Sequence, residues 1–171
     1  MRPDSSPQSP DPDRPRRSAL RPHALALLLA LAVPATVALA DDAASEREAV
    51  IGVVSDAYVD GIHNYRDPAA IRRGFHPDFE MLVLRDDKLE KLPLEKWIAA
   101  IEARNAKEAP PAAGSPRTTT AAFPLVEITG TAAICKVELS RDGKLVFTDY
   151  LALYRFTDGW KIVGKSFYRH P

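Results

Sequence analysis

Four segments near the end of the chain alternate apolar and polar residues, and short turn sequences separate them. The segments are residues 118–128, 131–140, 145–156 and 160–169. The turns are Thr129-Gly130, Arg141-Asp142-Gly143 and Asp158-Gly159. A period of two is typical of strands with one buried face, and Gly in a short connection favours a tight hairpin. The pattern predicts an antiparallel meander of four strands.

Helical patterns precede the meander. Ser45 followed by Glu48 forms a capping box, which predicts an amphipathic helix over about 46–63. Asp67-Pro68 begins a second, short helix, and a third follows Pro93. Residues 76–84 predict a strand between the second and third helices, and residues 85–88 predict a turn after it. The order indicates an α+β fold, with three helices packed on one face of a curved antiparallel sheet.

The first 40 residues have the composition of a secretory signal peptide. Several arginines in residues 1–23 precede the apolar segment 24–40, which ends in Ala38-Leu39-Ala40. We expect cleavage after Ala40, a short tail over 41–45, and a domain over 46–171 that is periplasmic or secreted and not attached to the membrane. A retained membrane anchor is the alternative, although the apolar segment is short and contains Pro34. Either the Sec or the twin-arginine route could export the chain.

Charge and cysteine content narrow the possible partners. Residues 1–40 hold five of the chain's 23 basic residues and three of its 23 acidic residues, which leaves 18 against 20 in residues 41–171. A net charge near −2 without a basic cluster gives no electrostatic basis for binding nucleic acid. The single cysteine, Cys135, alternates with apolar neighbours and is interpreted as a buried strand residue.

Three stretches occur in this order along residues 46–169: "FHPDFEML", "TAAICKVEL" and "FTDYLALYRFTDGWKIVGKSFYR". Together they resemble the nuclear transport factor 2-like superfamily. The chain is most similar to the bacterial group described as putative lumazine-binding. The resemblance implies a cone-shaped, cystatin-like fold with a pocket between the helices and the concave face of the sheet. It also implies a homodimer through the outer sheet face. It does not imply one function, because the scaffold carries enzymes, binding domains and transport adaptors.

Ketosteroid isomerases of this superfamily use a tyrosine on the first helix and two aspartates on strands. Aligned by eye, Tyr58 matches the tyrosine, but Val83 and Ala152 stand at the aspartate positions. Neither side chain can accept a proton, which argues against this chemistry.

The remaining polar and aromatic residues supply weak catalytic candidates and candidate ligand contacts. The catalytic candidates are Tyr58, His76 and Asp149. The candidate ligand contacts are Tyr58, Trp97, Tyr150 and Lys165. His63, at a helix end, is expected to be solvated. The histidine spacing matches no metal site, and we expect neither a metal nor a cofactor.

The faces of Asp149 and Lys165 depend on the register of the last hairpin. A two-residue turn at Asp158-Gly159 places Lys165 opposite Ala152 and puts the two charges on opposite faces. A type I turn with a bulge at Gly159 places Lys165 opposite Leu151 and lets the charges share a face. We expect opposite faces, with Lys165 at the pocket wall.

Three functions are compatible with these residues. The first is an exported domain that binds a small organic ligand in an apolar pocket. The second is a metal-independent lyase, isomerase or hydrolase, which requires two titratable groups within hydrogen-bond distance around one cavity. The third is a structural or interaction module with a filled cone.

Overall fold

The computed structural model describes the backbone of residues 34–171 and the side chains from Asp42 onward. The expected basic region over 1–23 and the start of the apolar segment lie outside the described residues. The elements, in chain order, are α1 (Pro34–Val53), a π-helical segment (Val54–Asn64), α2 (Pro68–Gly74), β1 (Phe75–Arg85), β2 (Lys88–Pro93), α3 (Leu94–Lys107), β3 (Thr119–Thr129), β4 (Ala132–Arg141), β5 (Lys144–Phe156) and β6 (Gly159–Arg169).

The six strands form one sheet in the order β2-β1-β6-β5-β4-β3. The predicted meander is confirmed, since β3 to β6 pair antiparallel in succession. The sheet is mixed rather than wholly antiparallel, because β1 pairs parallel to β6. The predicted turn at 85–88 is also confirmed: Asp86 and Asp87 have φ angles of 49° and 59°. This turn leads into β2, an edge strand that we did not predict because half of its residues are charged and most are exposed.

The first helical stretch is longer than predicted. It runs without a break from Pro34 to Asn64, so Ser45 is an interior residue and its assignment as the N-cap is wrong for the chain described. The last third is wound as a π-helix, as the 2.7 Å bond from the Tyr65 amide to the Asp60 carbonyl five residues earlier illustrates. The wider winding buries residues around most of the segment, including Tyr58.

The other two helices begin where predicted. Asp67 caps α2 by accepting a 2.9 Å hydrogen bond from the Ala69 amide, and Pro68 follows it. α3 follows Pro93 and turns an apolar stripe of Leu94, Ile98 and Ile101 toward the core.

Two polar contacts hold the helical layer on the sheet. The Asn64 side chain exchanges hydrogen bonds of 2.9 and 3.0 Å with the Thr119 backbone, as a paired strand residue would. The Trp160 indole donates a 2.7 Å hydrogen bond to Glu46. The first helical stretch is thereby tied to β6 at Glu46, in its interior, and to β3 at its C-terminal end.

The main hydrophobic core lies between these helices and the inner face of the sheet. Cys135 is fully buried on β4, which confirms its interpretation as a strand residue. Burial raises the pKa of its thiol to about 12, so the group remains a neutral packing element at physiological pH.

Candidate functional site

The β5–β6 hairpin has a register that places Asp149 and Lys165 on the same face. Phe156 pairs with Gly159, and a bulge beside Leu153 then shifts the pairing by one residue. Lys165 therefore lies opposite Leu151, two residues from Asp149. Our expectation of opposite faces is wrong, because a one-residue bulge in the middle of the hairpin reverses the parity.

Asp149 is the centre of a buried polar cluster, which we call the Tyr58–Asp149–Lys165 triplet. Asp149 Oδ2 accepts a 2.7 Å hydrogen bond from the Tyr58 hydroxyl. Asp149 Oδ1 forms a 2.7 Å ion pair with Lys165 Nζ. The Lys165 ammonium also lies 3.8 Å from Met81 Sδ and 4.0 Å from the centre of the Phe167 ring. The three groups belong to the π-helical segment, β5 and β6.

Burial controls the protonation of this cluster. Asp149 is 0% exposed, Tyr58 1% and Lys165 6%. Burial lowers the pKa of Lys165, and the Asp149 carboxylate partly opposes that shift. Burial raises the pKa of Tyr58 well above its ordinary value, and the charge of Asp149 and the hydrogen bond to it act in the same direction. Tyr58 is therefore a neutral donor at neutral pH.

A cleft of about 220 Å³ opens between the end of the π-helical segment, α3 and the end of β4. We call it the mouth cleft. It is lined by Ile62, His63, Arg66, Trp97, Ala100, Ile101, Arg104 and Arg141. One part of this lining is apolar, and the other carries three guanidinium groups and an imidazole.

The mouth cleft and the triplet are neighbours, but they are not one site. Two of the lining residues contact Tyr58: the His63 ring lies edge-on at 4.9 Å, and the Trp97 ring lies 6.3 Å away, measured between ring centres. Tyr58 and Lys165 are absent from the cleft lining. His63 and Trp97 therefore separate the buried triplet from the cleft.

The predicted ligand contacts thus fall in three places. Trp97 lines the mouth cleft, whereas Tyr58 and Lys165 lie in the core behind it. Tyr150 is 47% exposed and points to the outer face of the sheet, because its neighbours Asp149 and Leu151 point inward. Its predicted position beside Lys165 in the pocket is wrong.

His76 has a structural environment. It lies in an irregular stretch of β1, where the advance from Phe75 to Glu80 is five positions but the partner on β6 advances by only two, from Ile162 to Gly164. Its Nδ1 accepts a 3.2 Å hydrogen bond from the Asp78 amide, and its ring stacks on Phe156 at 4.8 Å. These contacts are with Asp78 and Phe156 and not with the triplet.

The register of the β5–β6 hairpin also changes which residue of β5 can be compared with the isomerase aspartates. Ala152 points to the outer face, so our alignment by eye placed the wrong residue in the pocket. The carboxylate that points inward from β5 is Asp149. Val83 is half-buried on β1 and packs against the core, and it has no group that could act as a base.

Sequence reasoning missed most of the mouth cleft. His63 was expected to be solvated, but it is largely enclosed by Tyr58, Phe147 and Arg141. Arg66 and Arg104 were not among the predicted ligand contacts, and Arg141 was assigned only to a turn. No local pattern marks these residues, because three separate elements bring them together.

Among the His, Cys, Asp and Glu residues that the structure describes, no group of three could hold a metal ion. None of the helices in the described part of the chain combines the length and the apolar character needed to cross a membrane.

Solved structures show the same fold. A nuclear transport factor 2-like protein of unknown function from Shewanella baltica OS155 is 24% identical, with a TM-score of 0.59, and the match covers 75% of this chain and 96% of that one. Another from Silicibacter pomeroyi DSS-3 is 22% identical, with a TM-score of 0.59 and coverage of 75% and 98%. A third from Methylobacillus flagellatus KT is 22% identical, with a TM-score of 0.54 and coverage of 77% and 94%.

A search among curated proteins gave no significant match. The sequence profile of the family described as putative lumazine-binding matches residues 45–168, which include the π-helical segment, α3 and all six strands. This match and the nuclear transport factor 2-like structures agree with the resemblance noted in the sequence. The chain therefore belongs to the putative lumazine-binding family of nuclear transport factor 2-like proteins.

Proposed function

We propose that this domain binds a small organic molecule in the mouth cleft. The observation that carries the proposal is the composition of the cleft, whose lining combines apolar residues and Trp97 with three arginine side chains. This combination is typical of ligand sites, where apolar groups supply affinity and a few polar groups fix orientation. The volume of about 220 Å³ favours a small ligand, because pockets that hold drug-sized ligands measure roughly 300–1,000 Å³.

The test is a fragment screen by ligand-observed NMR, followed by titrations that monitor tryptophan fluorescence. The chain has two tryptophans, and only Trp97 lines the cleft. We expect a ligand to change the fluorescence of the wild-type protein, and the response should disappear in Trp97→Phe, in which Trp160 remains. A screen without a binder, together with native mass spectrometry that finds no small molecule on protein from its own source, would overturn the proposal.

The arrangement of the triplet supports ligand binding over catalysis. An enzyme needs titratable groups that reach the substrate. Tyr58 and Lys165 each lie within hydrogen-bond distance of Asp149, but His63 and Trp97 stand between this triplet and the mouth cleft. The cleft-lining groups are three guanidiniums and one imidazole, which suit binding of an acceptor more than proton transfer.

We also propose that two copies associate through the outer sheet face. Several large apolar residues are exposed there: Leu125, Ile134, Tyr150 and Tyr154. A groove of about 430 Å³ on the same face includes Ile134 and Tyr154 in its lining. A patch of this kind is typical of a two-fold interface between identical chains. Ile134→Lys should convert a dimer to a monomer in light scattering, and a wild-type monomer would contradict the proposal.

We propose that the chain is exported and processed after Ala40. The support is the order of arginines, apolar residues and Ala38-Leu39-Ala40 in the sequence. Mass spectrometry of the protein from its own source should give an N-terminus at Asp41. An intact N-terminal segment on the protein would contradict processing.

A further inference from the structure

Three arginines from different elements converge on the mouth cleft: Arg66 after the π-helical segment, Arg104 on α3 and Arg141 at the end of β4. Glu108 pairs with two of them, at 3.4 Å from Arg66 and 3.6 Å from Arg104. Within the described residues, no carboxylate lies within ion-pair distance of Arg141, whose guanidinium contacts Thr119 and His63. The cleft therefore carries net positive charge.

Arg66 has an unusual environment for an arginine. The residue is 5% exposed, and its φ angle of 50° places its backbone in the left-handed region. Nη2 donates a 2.9 Å hydrogen bond to the Ala109 carbonyl, and the Arg66 carbonyl accepts one of 2.8 Å from Asn105. Nη1 is buried and has no partner among the described residues. A buried donor without an acceptor costs free energy, as does the backbone conformation, and such costs concentrate at functional sites.

His63 supplies a second donor of this kind. Its Nδ1 lies 3.2 Å from Arg141 Nη2, and a guanidinium can only donate, so Nδ1 accepts and the ring proton is on Nε2. Nε2 is buried without an acceptor in the described part of the chain. Burial, with the charges of Arg141 and Lys165, lowers the pKa of His63 to about 3, which keeps the ring neutral. Both unpartnered groups at the cleft are thus donors.

The rest of the lining is apolar and includes an aromatic surface. Ile62, Ala100 and Ile101 lie there together with the Trp97 indole. A ligand that fits must combine a compact apolar body with a group that accepts several hydrogen bonds and carries negative charge. Guanidinium groups bind carboxylates and sulfonates in this way, through two parallel N–H···O bonds.

We propose that the mouth cleft selects an organic anion, namely a carboxylate or sulfonate on an aromatic or other apolar body. The inference rests on the proposed function and deepens it. The anionic group is held by the guanidinium groups of Arg66, Arg104 and Arg141, and the apolar body lies on Trp97. The unpartnered donors of Arg66 and His63 belong to residues of the same lining.

Paired probes test this inference in isothermal titration calorimetry on the full chain. 2-Naphthoate and 2-naphthamide share one apolar body and differ in the charge of the acceptor group. We expect naphthoate to bind at least about tenfold more tightly than the amide, since charged hydrogen bonds are stronger than neutral ones. We also expect naphthoate binding to weaken as the salt concentration rises, whereas amide binding should change little.

Two variants locate the anion. Arg141→Gln and Arg104→Gln alter exposed side chains, and each should reduce the preference for naphthoate. Arg85→Gln is the matched control, because Arg85 is an exposed arginine on β1 that does not line the cleft. It should leave the preference unchanged. Thermal unfolding of each variant verifies that it is folded before titration.

The outcomes separate this inference from the proposed function. Equal binding of naphthoate and naphthamide, or a preference that survives both cleft variants, overturns the selection of an anion while ligand binding stands. If a neutral fragment binds the cleft in the screen and naphthoate does not bind, the selection of an anion is likewise overturned while ligand binding stands. If neither probe binds and the fragment screen also finds no binder, the proposed function itself is wrong.

Discussion

The Tyr58 hydroxyl donates a 2.7 Å hydrogen bond to Asp149, although 91 residues of chain separate the two. The bond joins the π-helical segment to β5, an interior strand of the sheet. Asp149 also forms the ion pair with Lys165, so a single carboxylate holds two buried partners. Because burying charge is unfavourable unless the charge is paired, folding should depend on all three residues.

Asp149→Asn should lower the free energy of unfolding by about 3–5 kcal/mol, because it leaves the Lys165 ammonium buried without a counter-charge. Urea unfolding at neutral pH measures the loss. The double variant Asp149→Asn, Lys165→Met removes both charges. Its loss of unfolding free energy should be smaller than the sum of the losses measured for the two single variants. Additive losses would show that the pair is not coupled.

Tyr58→Phe removes the hydroxyl and keeps the ring. The expected loss is about 1.5–3 kcal/mol, the range for a hydrogen bond to a charged group. Tyr154→Phe is the control, because that ring is 50% exposed on the outer sheet face. Its loss should stay within about 0.5 kcal/mol. Comparable losses in the two variants would indicate that the Tyr58–Asp149 bond contributes little.

His63 should make stability depend on acidity. Its pKa is lowered from 6.5 to about 3 in the folded protein, so below pH 6.5 the unfolded chain binds the proton more readily than the folded one. The stability that comes from keeping His63 neutral is fully present above pH 6.5. As the pH falls toward 3, the free energy of unfolding decreases by up to about 1.4 kcal/mol per pH unit. Unfolding of wild type and His63→Leu across this range should differ in slope, and parallel slopes would contradict the assignment.

Gly74 ends α2 where the helix lies against the π-helical segment. A Cβ built at this residue would be 2.3 Å from the Ala57 Cβ, whereas one at Gly52 would have no neighbour within 4 Å. Gly74→Ala should therefore destabilise the protein by at least about 1–3 kcal/mol through overpacking. Gly52→Ala should instead stabilise it by roughly 0.5–1 kcal/mol, since Gly is a poor helix residue. Thermal unfolding compares the pair, and equal effects would contradict the close packing.

Local patterns were sufficient for most of the architecture. The meander follows from alternation and from glycine-containing turns, and α2 follows from the Asp67 cap and Pro68, features that act within a few residues of chain. β2 escaped prediction because its side chains are mostly exposed, so no apolar period marks it. The π-helical winding was also missed, since its apolar residues fit an ordinary helix equally well.

The candidate site was much less accessible to prediction. Asp149 and Lys165 were identified as unusual, but the face that each occupies depends on a bulge beside Leu153. The bulge leaves Val163 unpaired beside Gly164, and a glycine inside a strand often marks a bulge. The glycine does not by itself fix the register, and one residue of slip moves a side chain to the other face. Tyr150 and Ala152 were placed inside for the same reason, and both point outward.

By itself, the sequence determined the family and the α+β order of helices and strands, because these depend on periodicity and turn residues spread along the whole domain. The tertiary structure alone decided that Tyr58, Asp149 and Lys165 form one buried cluster and that Arg66, Arg104 and Arg141 surround one cleft. Both groupings join residues from distant segments. The distances within each group depend on strand register, on the π-helical winding and on how α3 packs on the sheet. These are properties of tertiary packing rather than of any local stretch of chain.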